Sequence, residues 1–180
     1  MVMPVVTERL ILRPFDSDDL DAVHAYVSDP EVMTYMGGTQ TREWVRGFLK
    51  WHDNYRAEHG YGLWAMVERA SGDVVGDAGV MALGGSSSIA GHRLRYMVNR
   101  AYWGRGYATE AAHASLDFAF RELGVEEVKA ITHPDHQASQ HVLEKIGMTY
   151  EGLVTYDGLD GTDGQVALHV ASRPVYHSPT

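Results

Sequence analysis

The residues best suited to chemistry lie in Trp103-Gly104-Arg105-Gly106-Tyr107-Ala108-Thr109. Two glycines let the backbone turn tightly and approach a ligand closely. The alanine-rich stretch that follows predicts a helix from Tyr107, whose first N–H groups and positive dipole end would face that ligand. Such a site suits an anion, and phosphate best. Arg93, Arg95, Arg100 and Arg105 crowd the same region with no acid between them. They read either as a positive patch serving a polyanion or as a solvated strand face. His133, Asp135, His136 and His141 form a second group of polar side chains. Their spacing straddles Pro134 and matches no standard ligand pattern, so no metal site is expected.

The elements that must position these residues follow from periodicity. Leu94, Tyr96 and Val98 alternate with Arg95 and Met97, which predicts a strand from Ile89 to Asn99 with two different faces. From Ala108 to Leu123, apolar and small residues recur at helical spacing, and Gly124 ends the run. Val125 to Thr132 reads as the next strand, so residues 94–132 form a strand–helix–strand unit with a right-handed parallel crossover. A short helix from Asp135 or His136 runs through Ile146. Before this unit come a strand over Val5–Pro14, a helix capped by Asp16 or Ser17 and ending near Asp29, a short element over Glu31–Gly38, and a long helix to His59. Strands at Gly62–Glu68 and Val74–Leu83 follow, joined by the turn Ala70–Asp73. Gly84–Ser88 is a loop. After the unit come strands at Met148–Tyr156 and Gln165–Ser172, around an acidic loop holding Asp157, Asp160 and Asp163. The fold class is α/β (α+β): a mixed central sheet of about seven strands, with about four helices on both faces, in a single domain over 1–180.

At 180 residues the chain is long enough to bury a core without staples. A net charge of −9 makes it a poor nucleic-acid binder and favours amine-bearing partners. The absence of cysteine excludes disulfides, thiolate metal sites and a cysteine nucleophile. No apolar stretch approaches a membrane span, and the start lacks the pattern of a signal peptide, so a cytoplasmic protein without membrane contact is expected.

Together these motifs resemble the GNAT acyltransferases. Their acetyl-CoA loop reads Gln/Arg-x-x-Gly-x-Gly/Ala; Gly106 and Ala108 match, and Trp103 stands in the Gln/Arg position. His136-Gln137-Ala138-Ser139, followed by Val142 to Met148, resembles the tail Asn-x-x-Ser…Glu-Lys-x-Gly-Phe/Met. The chain is most similar to the ribosomal-protein N-terminal acetyltransferase (RimJ/RimL-like) branch. That branch carries Tyr-Trp-Gly-x-Gly-Tyr/Ile-Ala-Thr-Glu-Ala, found here at 102–111, and Thr-Glu-Arg-Leu-x-Leu-Arg, found at 7–13. The resemblance spans Thr7 to about Leu168.

The resemblance implies roles residue by residue. Backbone amides of Gly104, Arg105, Gly106, Tyr107, Ala108 and Thr109 would hold the CoA pyrophosphate. Met97 and Val98 would line the pantetheine arm as it pairs with their strand, and an N–H there would face the acetyl carbonyl as in an oxyanion hole. The tyrosine that many members place on the last helix is replaced by Leu143. Ser139, one helical turn earlier, is the remaining candidate for the catalytic partner of the leaving thiolate, against the alternative of a serine bonded to its own backbone. His136 occupies the family's asparagine position, beside the pantetheine. Arg93 stands where relatives often carry a glutamate base, which leaves Asp77, Glu110 and His133 as weak candidates for that role.

The implied activity is direct acetyl transfer from acetyl-CoA, as cosubstrate, to a primary amine such as a protein N-terminus. Freeing an α-amine of pKa 7.7–8.0 at neutral pH costs only ~1–1.4 kcal/mol, against ~4.6 for lysine. A site without an evident base therefore suits the weaker amine. The rivals are a small-molecule acetyltransferase acting on a polyamine or antibiotic, and a non-catalytic acyl-CoA sensor. A homodimer is compatible with either activity. A dinucleotide oxidoreductase fails, because Gly104-Arg105-Gly106 lacks a third glycine and lies late in the chain. Tyr35, Trp44, Trp51, Tyr61 and Trp64 fall in the half where the family builds its acceptor cleft, mostly as core residues.

Overall fold

A computed structural model describes residues 4–83, 89–156 and 164–173. Its strands form one sheet in the order β1-β2-β3-β4-β5-β6-β8-β7. They are β1 Val5–Val6, β2 Leu10–Arg13, β3 Leu63–Glu68, β4 Val74–Leu83, β5 Gly91–Val98, β6 Glu127–Thr132, β7 Thr149–Tyr156 and β8 Gly164–Ser172. The helices are α1 Leu20–Val27, α2 Arg42–His59, α3 Tyr107–Arg121 and α4 Gln137–Lys145. Short 3-10 turns at Ser17–Asp19 and Arg100–Tyr102 precede α1 and the glycine loop.

The sheet has eight strands rather than about seven because the first predicted strand is two. Thr7 makes the break: its N–H donates to the Leu10 carbonyl and its hydroxyl oxygen accepts from the Leu10 N–H, closing a tight turn that folds Val5–Val6 back on Ile11–Leu12. The segment Glu31–Gly38, expected to be a short element, is a run of turns.

Alternation along β5 decides the two layers. Leu94 and Val98 face α3, where Ala112, Leu116, Ala119 and Phe120 supply the buried stripe that helical spacing predicts. Met97 points to the other face, against α1 and α2, with Val23, Tyr26, Val45 and Phe48. The strand–α3–strand unit is parallel as read from sequence: β5 pairs with β6 at His92↔Val128 and Arg93↔Lys129. The other pairings in the sheet are antiparallel.

Two glycines let β4 pass close to its neighbours. A Cβ on Gly76 would stand 2.1 Å from the Met97 carbonyl oxygen, and one on Gly79 2.2 Å from the Gly62 carbonyl oxygen. Both obstacles are backbone, which cannot swing aside as a side chain can. Gly76→Ala must therefore displace β5 at Met97. The expected result is a loss of about 1–3 kcal/mol, read as a lower urea midpoint at pH 7 with an unchanged slope.

Candidate active site

The central feature is a parting of strands. β4 accompanies β5 over the whole of residues 91–98, but β6 leaves it after Arg93. The Asn99 N–H donates to Val75, toward β4. Backbone groups alternate along a strand, so those of Val98 and Tyr96 point the other way, into the gap. The Trp103 indole crosses to this side and donates to the Val98 carbonyl at 2.8 Å. A slot of about 70 Å³ occupies the opening, lined by Met36, Arg93, Leu94, Arg95, Tyr96, Ala130, Ile131 and Leu143. Residues of both strand faces line it, so the slot borders both the α3/α4 and the α1/α2 layers. A larger groove runs along the outer side of α3 from Gly106 and Thr109.

Beside the gap, Gly104 (φ 76°) and Gly106 (φ 81°) take the left-handed backbone conformation that L side chains resist. Gly106 is the N-cap of α3 and no side chain caps the helix. The N–H groups at the start of α3 therefore remain available to an anion, as the sequence suggests. Tyr107 is buried and donates to Glu68, while Arg105 lies over the Tyr102 ring at 4.9 Å and within 3.6 Å of Glu68.

The loop is clasped from behind. The Glu110 carboxylate accepts from the Thr7 hydroxyl at 2.6 Å, the Arg9 N–H at 2.8 Å and the Arg9 Nε at 2.7 Å. Arg9 also donates to the Arg105 carbonyl at 2.7 Å and covers the Tyr107 ring. Burial pushes the Glu110 pKa up, but these hydrogen bonds outweigh it and hold the carboxyl below its usual range. A carboxylate engaged in this way braces the loop and is a poor proton acceptor. That takes it out of the list of candidate bases.

Ser139 lies in the first turn of α4 and meets a residue that sequence reasoning passed over. The Tyr96 hydroxyl donates to the Ser139 carbonyl at 2.9 Å and lies 2.9 Å from Ser139 Oγ. Burial raises the Tyr96 pKa well above the ordinary value, with the bond to Ser139 opposing, so the phenol is neutral. Strand alternation could have placed Tyr96 on the face toward α4, but not at hydrogen-bond distance from a residue 43 positions away. Leu143 is buried on the same helix and lines the slot. The His136 and His133 rings both stack against Tyr35, with ring centroids 4.6 and 4.8 Å from it. Burial, and then the nearby His133, lower the His136 pKa. His133 is held in this aromatic group rather than at the slot.

The opposite face of β5 carries a buried polar group. Asp77, on β4 directly opposite Met97, is wholly buried and accepts from the Tyr26 hydroxyl at 2.8 Å. Burial raises its pKa, with Arg95 and the Tyr26 bond opposing. Arg95 Nε is 4.0 Å from Asp77 Oδ1, beyond hydrogen-bond reach. His52, on α2, is buried, and desolvation with the nearby Arg95 charge depresses its pKa to about 3. It is neutral at pH 7. Arg93 donates to the Tyr156 hydroxyl at 2.8 Å. Of the aromatics in this half, Trp64 is core, Trp44 and Trp51 are exposed on α2, Tyr61 bonds His92 and Tyr35 joins the histidine stack. The acidic loop at Asp157, Asp160 and Asp163 and the loop Gly84–Ser88 lie outside the described residues.

Comparison with known proteins agrees with this geometry. Residues 9–149 match the family model described as Acetyltransferase (GNAT) domain. The chain is 38% identical over 153 residues to the uncharacterized protein YkkB of Bacillus subtilis, covering 83% of this chain and 87% of that one. It is 25% identical over 150 residues to the spermidine N(1)-acetyltransferase of Escherichia coli K12, covering 81% and 76%. A crystal structure of a GNAT-family acetyltransferase from Bacillus anthracis superposes with a TM-score of 0.80 at 28% identity, over 96% of this chain and 99% of that one. A parted β5–β6 pair beside an uncapped glycine loop, on a chain matched over most of its length, makes this protein a member of the GNAT acetyltransferase family.

Proposed function

We propose that the protein is an acetyl-CoA-dependent N-acetyltransferase that passes the acetyl group directly to a primary amine, with Ser139 as the partner of the leaving thiolate. The observation that carries this reading is the Tyr96–Ser139 hydroxyl pair at the edge of the slot between β5 and β6. The N–H groups from Gly104 to Thr109 hold the pyrophosphate, and the free edge of β5 at Tyr96 and Val98 receives the pantetheine amides as a further strand would, while the Met97 carbonyl, expected there from sequence, points to Gly76 on β4. His136 flanks the arm. An N–H on that edge donates to the acetyl oxygen and stabilises the charge that develops there.

The amine arrives from the α1/α2 side, since the slot borders both layers. Its nitrogen attacks the thioester carbon, the C–S bond breaks, and the CoA sulfur leaves as thiolate. Ser139 Oγ–H turns to the sulfur and protonates it, the neutral Tyr96 hydroxyl donates a hydrogen bond to the serine oxygen, and the serine is reprotonated through water. The ammonium proton departs to water. The RimJ/RimL-like motifs at 7–13 and 102–111 support an α-amine acceptor. The relative named as a spermidine acetyltransferase supports a small-molecule amine.

Removing the serine hydroxyl should slow the chemistry and spare the binding. Ser139→Ala is expected to lower kcat about 10²-fold, the lower end for a lost general acid, with acetyl-CoA affinity by calorimetry nearly unchanged. Tyr96→Phe should produce part of that loss. An equal fall in kcat and in acetyl-CoA affinity would assign Ser139 to binding alone.

The pH profile tests the missing base. Without one, kcat/KM follows the free-amine fraction: it rises with pH and levels off above about 8 for a peptide N-terminus, but still climbs there for a lysine side chain. A plateau at the same low pH with both acceptors would reveal a base in the enzyme.

A further inference from the structure

We propose that Arg95 anchors a carboxylate on the acceptor, so that the amine acetylated belongs to a molecule carrying a carboxylate a few atoms away. The inference rests on the acetyl-transfer reading and adds the substrate's second recognition group. Among the described residues the Arg95 guanidinium makes no hydrogen bond. Its Nε is buried without a partner, 4.0 Å from Asp77, and its side chain is only 21% exposed. The guanidinium rests against Phe48, centroid distance 6.0 Å, and the residue lines the slot. A guanidinium offers five donors in a planar fork that matches a carboxylate, and leaving them unused in a mostly buried position is costly.

The position excludes the anionic groups of CoA as the occupant. Those belong at the glycine loop, at the far end of β5 and beside α3, whereas Arg95 projects with Met97 toward α1 and α2. Arg95 stands there with the buried Asp77 beside it, and His52 on the same side is neutral. Asp77 sits 4.0 Å from Nε and is itself held by Tyr26, and Arg95 lines the slot. A carboxylate there would leave the amine of the same molecule near the thioester carbon. Free amino acids and peptide N-termini with an acidic first residue share this chemistry.

The test measures CoA release with leucine, leucinamide and 3-methylbutylamine, and with the peptide amides Asp-Ala-Ala and Asn-Ala-Ala. The amide's less basic amine makes leucinamide the better intrinsic acceptor, so any preference for leucine reports recognition. Compared at equal free-amine concentration, a charge-assisted pair predicts a kcat/KM about 10- to 100-fold higher for leucine than for 3-methylbutylamine. The same preference for the Asp over the Asn peptide would identify a peptide source, and its absence there a free amino acid. Arg95→Gln should collapse the ratio toward one, and Arg95→Lys should keep part of it. Equal rates across the leucine series, or a ratio that survives Arg95→Gln, would overturn the proposal and leave acetyl transfer standing. If no amine turns over, the acetyl-transfer reading fails instead. Calorimetric binding of leucine to wild type but not to Arg95→Gln would then still support the anchor, and equal binding to both would overturn it.

Discussion

The parting of β5 from β6 is the constraint on which the rest depends. A strand in the middle of a sheet is normally paired on both sides, because buried N–H and C=O groups without partners are costly. Here one side is paired along its length and the other for only two residues. An unpaired edge inside a sheet is tolerable where something strand-like pairs with it. The proposed pairing of the pantetheine arm with this edge would meet that requirement. The same requirement gives Trp103 a role. The indole bond to the Val98 carbonyl satisfies one acceptor on the open edge and fixes where the glycine loop leaves the strand.

The two layers then divide the labour by strand alternation. Leu94, Tyr96 and Val98 face the helices that carry the glycine loop and Ser139. Arg93, Arg95 and Met97 face α1 and α2. A one-residue slip of β5 would exchange these sets, moving the arginines under α3 and Tyr96 away from Ser139. Gly76 and Gly79 help prevent it, since β4 fits so closely between its neighbours that only glycine is accommodated at those register positions.

Much of this was legible in the sequence. The period of two over 94–98, the small-residue stripe of α3 and the glycine stops located the central unit within a few residues. The tight loop ahead of α3 followed from its glycine positions. What could not be read were contacts between distant residues. The Thr7 turn depends on a side chain closing on Leu10, and an uninterrupted apolar run hides it. Glu110 looked equally suited to catalysis or to the helix dipole until its three donors from Thr7 and Arg9 were visible. Tyr96 reads as one apolar position among several, and its partner lies on another helix. Arg95 looked like one of four clustered arginines; burial and the absence of a hydrogen-bond partner set it apart.

The clasp of Thr7, Arg9 and Glu110 has a consequence for how such chains change over generations. Two segments about a hundred positions apart behave as one unit of inheritance, because an altered residue in either strands charged donors or a carboxylate at a half-buried joint. Neutral drift at position 7, 9 or 110 is therefore narrow until the others change in step. A gene fragment that exchanged the N-terminal segment without the loop would carry a mismatched joint. The opening motif of the chain is, in this sense, the distal half of the glycine loop.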